Sequence, residues 1–118
     1  MYIKSLVVIR FYNDGLWRKR LTMVDFNNEL DLESVVKSKS NSVNPRYSRF
    51  KLYAVSNHYG TMDAGHYTAY CKNPEYNKWF KFDDQEVMEI NGNEVRSAAA
   101  YILFYTAIDY QAPPVIQN

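Results

Sequence analysis

Between Gly65 and Asp84 the chain reads GHYTAYCKNPEYNKWFKFDD, two alternating aromatic runs on either side of Asn73-Pro74. Tyrosine, tryptophan and phenylalanine are enriched in β-strands, and an Asn-Pro pair between two such runs is a turn signal. The stretch is thereby constrained to an antiparallel hairpin, and the rest of the chain must supply its sheet partners. With Asn73-Pro74-Glu75-Tyr76 as a four-residue loop, Lys72 faces Asn77, Tyr70 faces Trp79, Thr68 faces Lys81 and His66 faces Asp83. Directly opposed Cβ atoms lie about 4.5–5.5 Å apart, so a carboxylate there can accept a hydrogen bond from the imidazole. A loop one residue longer would bring Asp84 to His66 instead; Asp83 is preferred and Asp84 is the secondary acid. The other side of the hairpin carries Tyr67, Ala69 and Cys71 against Phe80 and Phe82 and is expected to be core.

A histidine oriented by a carboxylate is a general base in need of a nucleophile. It is also an ordinary cross-strand pair, and residue patterning alone favours that reading. Cys71 is the only cysteine and must be tested as the nucleophile. Its odd offset from His66 points it to the opposite face, about 16 Å along the strand at about 3.3 Å per residue, so it is read as a packed core cysteine. A metal centre could draw on His58, Asp63, His66 and Asp83, but no HxH or CxxC pattern supports one, and no metal or other cofactor is expected.

The chain of 118 residues is long enough for one domain with a modest core. A net charge of +1 argues against nucleic acid as a partner, and the local cluster Arg18, Lys19, Arg20 reads as a solvated strand edge. No disulfide framework can form from one cysteine, which fits a reducing intracellular compartment. The apolar run Leu6–Ile9 is too short to span a bilayer, so no membrane insertion is expected. Leu6–Phe11 reads as a buried strand, Leu16–Phe26 as a second strand or two short ones, and Leu30–Val36 as a short helix capped by Asp31. The polar stretch Lys37–Arg46 reads as a loop. From Phe50 a strand alternates Phe50, Leu52, Ala54 and Ser56 with Lys51, Tyr53, Val55 and Asn57. A helical turn is expected at Glu94–Ser97, and Ala99–Thr106, the most apolar run, should be a central strand. The expected class is α+β, mostly antiparallel β, with residues 1–109 forming the folded part and 110–118 a flexible tail.

Four segments carry a resemblance: Tyr53-Ala54-Val55-Ser56-Asn57-His58-Tyr59-Gly60, then Gly65-His66-Tyr67-Thr68-Ala69-Tyr70, then Trp79-Phe80-Lys81-Phe82-Asp83-Asp84, then Ala100-Tyr101-Ile102-Leu103-Phe104-Tyr105. In that order and spacing they resemble the C-terminal boxes of the ubiquitin-specific proteases, the papain-like deubiquitinating enzymes. The stretches Trp79–Val87 and Ala99–Thr106 are most similar to the endosome-associated branch. The resemblance implies the histidine-bearing half of a papain-like cysteine protease fold, with His66 as catalytic base, Asp83 as the residue orienting it and Asp84 as a second acid. It implies that the loop Gly60–Gly65 moves as the C-terminal tail of ubiquitin enters, and that Asn57, His58, Tyr59, Gly60, Ala64, Gly65 and Tyr67 contact the substrate. Relatives in that family carry glycine where this chain has Thr61 and Ala64, and an added methyl at Ala64 is expected to narrow the channel or oppose a left-handed backbone.

The partners implied are ubiquitin, ubiquitinated proteins and an N-terminal catalytic half bearing the nucleophilic cysteine, which this chain lacks. The location implied is the cytoplasm, with endosomal association and the nucleus as further options. The alternative to a hydrolase part is a catalytically dead ubiquitin-binding or decoy module.

Overall fold

A twelve-residue strand is the spine of the molecule and pairs along both of its edges. In the computed structural model, which describes residues 5–9, 24–34, 48–61 and 64–108, the strands are β1 (Ser5–Ile9), β2 (Glu29–Asp31), β3 (Arg49–Gly60), β4 (Gly65–Asn73), β5 (Lys78–Asp83), β6 (Glu86–Ile90) and β7 (Ala100–Ala107). They form one antiparallel sheet in the order β1-β7-β3-β4-β5-β6, with β2 added to β3. The regular structure of the described residues is therefore almost wholly β. Their one complete helical element is a 3-10 turn at Gly92–Val95, earlier in the chain than the turn expected at Glu94–Ser97. That turn is held by a capping box, with Asn91 Oδ1 accepting from Asn93 N and Glu94 Oε2 accepting from Asn91 N. None of the described helical segments is long and apolar enough to cross a membrane.

One side of the sheet is the core. Phe50, Leu52 and Val55 of β3, Leu103, Tyr105 and Ala107 of β7, Tyr70 of β4 and Trp79 of β5 are buried there, joined by Phe26 and Val95 from the connections. Tyr105 is fully enclosed, and its hydroxyl donates to the Asn27 carbonyl at 2.7 Å, which satisfies the polar end that burial would otherwise leave dry.

The structure departs from the expectations at four places. First, β3 changes phase: a bulge between Leu52 and Ala54 inserts one residue, so Phe50 and Leu52 share a face with Val55 and Asn57 rather than with Ala54 and Ser56. Second, the β4–β5 register is displaced by two residues, because Asn73 stays in the ladder opposite Lys78 and the loop is 74–77. The Asn73 side chain explains this: its Oδ1 accepts from the amides of Glu75 and Tyr76, so it caps the turn while its backbone still pairs.

Third, the hairpin faces are reversed. The displacement is even, so the two side-chain sets are unchanged, but Thr68, Tyr70 and Trp79 are buried, while Tyr67 and Phe82 are exposed and Cys71 is only half-buried. The buried side is chosen by the larger β3–β7 core, with which Tyr70 and Trp79 are continuous. Fourth, Glu29–Asp31 is strand rather than the start of a helix. Asp31 Oδ1 does cap the next segment, accepting from Glu33 N and from Ser48 Oγ, and Glu33 and Ser34 are helical. The second strand expected before Phe26, the cluster at residues 18–20, the loop 37–46 and the tail from 110 fall wholly or largely outside the described residues.

Candidate active site at the edge of the hairpin

His66 lies near the start of β4 and Asp83 is the last residue of β5, so both stand at the same end of the sheet. His66 Nε2 meets Asp83 Oδ1 at 2.6 Å, with the imidazole about half exposed and the carboxylate one-third exposed. The contact is diagonal. Continuing the observed register sets Thr68, not His66, across from Asp83, and the carboxylate leans along the strand to reach the ring. The pair named by the sequence is thus present through a different register from the one that suggested it.

The hydrogen bond to Asp83 raises the His66 pKa above its ordinary value near 6.5, with the negative charges of Asp83 and Asp84 adding to it. Desolvation and the Lys81 ammonium oppose the rise. A raised folded-state pKa means that the pair contributes stability fully below the unfolded value and loses it as pH rises through the folded value. Urea midpoints of the native chain and of Asp83→Asn should therefore differ more at about pH 5.5 than at about pH 9, and a constant gap would contradict the linkage. With Nε2 committed to Asp83, Nδ1 has no partner among the described residues and is the nitrogen left to act as a base.

Asp84 follows directly, in a left-handed conformation at φ 50°, where it forms the two-residue turn with Gln85 between β5 and β6. Asp83, Asp84, Gln85 and Glu86 line a shallow open depression beside the pair. Donor atoms of His66, Asp83 and Asp84 lie within 4.8 Å of one another, close enough to share a cation. The hydrogen bond already joining two of them, and Lys81 Nζ 3.8 Å from Asp83 Oδ2, both disfavour a second positive charge there.

The residues expected to contact substrate separate into two groups. Tyr59, Gly60, Ala64, Gly65 and Tyr67 are exposed around the mouth of the β3–β4 hairpin, with Tyr59 paired to His66. Asn57 and His58 are not on that surface. Asn57 is fully buried and donates from Nδ2 to Thr68 Oγ1 at 3.2 Å, leaving its Oδ1 buried with no partner among the described residues. The bulge that turned β3 over carries Asn57 into the core. His58 is buried on the opposite face, its ring 4.6 Å from that of Tyr67 and 6.0 Å from that of Tyr101.

The loop has two glycines with physical reasons. Gly60 has φ +93°, and a Cβ there would lie 2.6 Å from the Ala64 carbonyl oxygen. Gly65 has no such backbone need but no room either: a Cβ would strike His58 Nε2 and lie 2.6 Å from the Tyr59 carbonyl oxygen. His58 is held by two tyrosine rings, so it cannot yield cheaply. Gly65→Ala is expected to cost about 1–3 kcal/mol by overpacking, read as a lowered urea midpoint; an unchanged midpoint would mean that the imidazole swings clear. Thr61 closes the loop from the other side, its amide and hydroxyl both donating to the Ala64 carbonyl and its Oγ1 standing 3.1 Å from Ala64 N. Ala64 is not among the positive-φ residues, so its methyl meets no backbone objection.

Cys71 sits on the face opposite His66, and burial pushes its thiol pKa up, away from the reactive thiolate. Lys81 and the β6 strand are the parts of this neighbourhood that sequence reading left without a role. The apolar Val87, Met88 and Ile90 after the Asp84-Gln85 reversal were the signal for the strand, without a strict alternation.

A family model described as "Ubiquitin carboxyl-terminal hydrolase" matches residues 5–105. Ubiquitin carboxyl-terminal hydrolase 10 of Arabidopsis thaliana is 46% identical over 98 residues, covering 82% of this chain and 10% of that relative. Ubiquitin carboxyl-terminal hydrolase 15 of Homo sapiens is 42% identical over 112 residues, covering 92% of this chain and 10% of that relative. The chain therefore spans about a tenth of the length of these relatives. Among solved structures, the SAGA Ubp8/Sgf11/Sus1/Sgf73 DUB module bound to ubiquitin aldehyde contains a chain that superposes with a TM-score of 0.72 at 28% identity, over 92% of this chain and 25% of that one.

Proposed function

The chain belongs to the ubiquitin carboxyl-terminal hydrolase family, and from that premise we propose that it supplies the general base, and the carboxylate that orients it, to a thiol-dependent hydrolase acting after the C-terminal glycine of ubiquitin. The observation that carries this reading is the 2.6 Å bond from His66 Nε2 to Asp83, which fixes the ring at an exposed edge with Nδ1 left open. The nucleophile is a cysteine from another part of the catalytic domain, since Cys71 faces away and is held as a thiol.

His66 Nδ1 accepts the proton of that cysteine. The thiolate attacks the glycine carbonyl carbon, the carbon–nitrogen bond breaks, and the imidazolium returns its proton to the departing lysine amine. A water molecule then gives a proton to Nδ1 and attacks the thioester, releasing the ubiquitin carboxylate and restoring the thiol. Asp83 holds the ring in the productive tautomer and balances the imidazolium between the two transfers.

The glycine-bounded loop and the tyrosines beside it are the channel wall for a tail that ends in two glycines, since a narrow passage refuses bulkier residues. The likeness of Trp79–Val87 and Ala99–Thr106 supports a finer placement in the endosome-associated branch, with a cytoplasmic location. The test is to mix the chain with a cysteine-bearing N-terminal half from a close relative and add ubiquitin carrying a vinyl electrophile at its C-terminus. Labelling of the cysteine is expected in the mixture; labelling that is the same without this chain would remove the proposal.

A second reading is favoured by the unsuitable position of the lone thiol together with the exposed Tyr59, Tyr67 and Phe82: a ubiquitin-binding module without catalysis. Titrating isotope-labelled ubiquitin with the chain separates it from the first, because binding without any labelling in the mixture supports the module and no spectral change excludes it.

A further inference from the structure

The Asp83 carboxylate has two oxygens and, among the described residues, two partners. His66 engages Oδ1 at 2.6 Å, and Lys81 Nζ stands 3.8 Å from Oδ2, a distance for an ion pair rather than a hydrogen bond. Lys81 is two residues back on β5, so its side chain leaves the same face of the sheet. The register puts His66 ahead of Asp83 along the strand and Lys81 behind it, across from Tyr70. The carboxylate is therefore held from both directions along the strand axis.

Asp83 needs that second anchor more than an opposed residue would. It is the final residue of β5, the left-handed Asp84 comes next, and its contact with His66 is diagonal. A carboxylate that orients the ring must itself be held by something other than the ring. Among the described residues, the other ionisable groups around this edge are Asp84 in the turn, Glu86 across from Asp83 on β6, Tyr59 across from His66 on β3 and Tyr70 across from Lys81 on β4, and none of them offers a positive charge.

We propose that Lys81 is a positioning residue for the His66–Asp83 pair, its ammonium holding the outer carboxylate oxygen so that the inner one is presented to His66 Nε2. The inference rests on the role proposed above for that pair and adds to it a residue that touches neither substrate nor nucleophile.

The test is a nuclear magnetic resonance titration of the His66 ring in the 118-residue chain and in Lys81→Met, Lys81→Arg and Asp83→Asn. The two possible roles of Lys81 predict opposite signs. As a bystander cation it only lowers the His66 pKa by repulsion, so its removal would raise the midpoint. As a positioning residue its removal frees Asp83 to turn away, and the largest cause of the raised pKa goes with it. The expected result is a midpoint that falls in Lys81→Met toward that of Asp83→Asn, with loss of the deshielded ring N–H signal of the short hydrogen bond. Lys81→Arg is expected to restore both. A midpoint that rises or stays in place in Lys81→Met, with the N–H signal intact, overturns the proposal. If the methionine variant does not fold, Lys81→Gln gives the same reading with a polar head. The titration needs neither cysteine nor ubiquitin, so it can fail while the hydrolase reading stands, and the reverse.

Discussion

Replacing His66 with alanine is expected to lower the turnover of the reassembled hydrolase by about 10²–10⁴-fold, the range that a positioned general base contributes. The loss should fall on kcat, because in the proposed mechanism the ring acts on the cysteine proton and on the leaving amine rather than on the body of ubiquitin. Binding of ubiquitin to the mixture should stay within a few-fold of the native value. The structure makes this a clean substitution: His66 is about half exposed and its one side-chain hydrogen bond among the described residues goes to a partly exposed carboxylate, so little packing is lost with it. Release of a fluorescent amine from the ubiquitin C-terminus measures the effect. Undiminished turnover in His66→Ala would remove His66 from the chemistry, whatever the state of its bond to Asp83.

The largest effect on the fold should come from Phe50→Ala. Phe50 is 1% exposed, sits where β2, β3 and β7 meet, and is paired with Leu30 on one side and Ala107 on the other. Truncating a buried phenylalanine to alanine costs about 3–5 kcal/mol, and a domain of this kind has about 5–15 kcal/mol in total. Neither neighbour can fill the gap, since Ala107 is small and Leu30 is anchored in its own strand. A urea midpoint lowered by a third or more of its native value is expected, with Phe50→Leu recovering most of the loss; a shift of less than a tenth would mean that the cavity collapses.

How much of this was legible beforehand depends on which physical signal carried it. The Asn73-Pro74 turn and the aromatic alternation around it were enough to bring His66 and an aspartate to one end of a hairpin. They could not say which backbone positions stayed in the ladder, because Asn73 both pairs and caps. The apolar run ending in Tyr105 was legible as a central strand, and it lies between β1 and β3. The side that would be buried was not legible from the hairpin, since both of its faces are rich in aromatics. That choice belongs to β3 and β7, and in β3 it passes through a bulge that a strict period of two cannot represent. Asn57 lies on the core side for the same reason, since a bulge carries the residues after it to the other face.

The two aspartates at the end of β5 also answer to different demands. Asp83 meets His66 through its carboxylate. Asp84 occupies a left-handed position in a two-residue chain reversal, a conformation that few side chains other than asparagine and aspartate tolerate. The doubled acid is then partly a hinge requirement: the chain must reverse at once after Asp83 so that β6 can return, and an aspartate lets it do so while adding negative charge beside the imidazole. Charge at that position and the sharpness of the reversal are separable properties, and asparagine would keep the second while giving up the first.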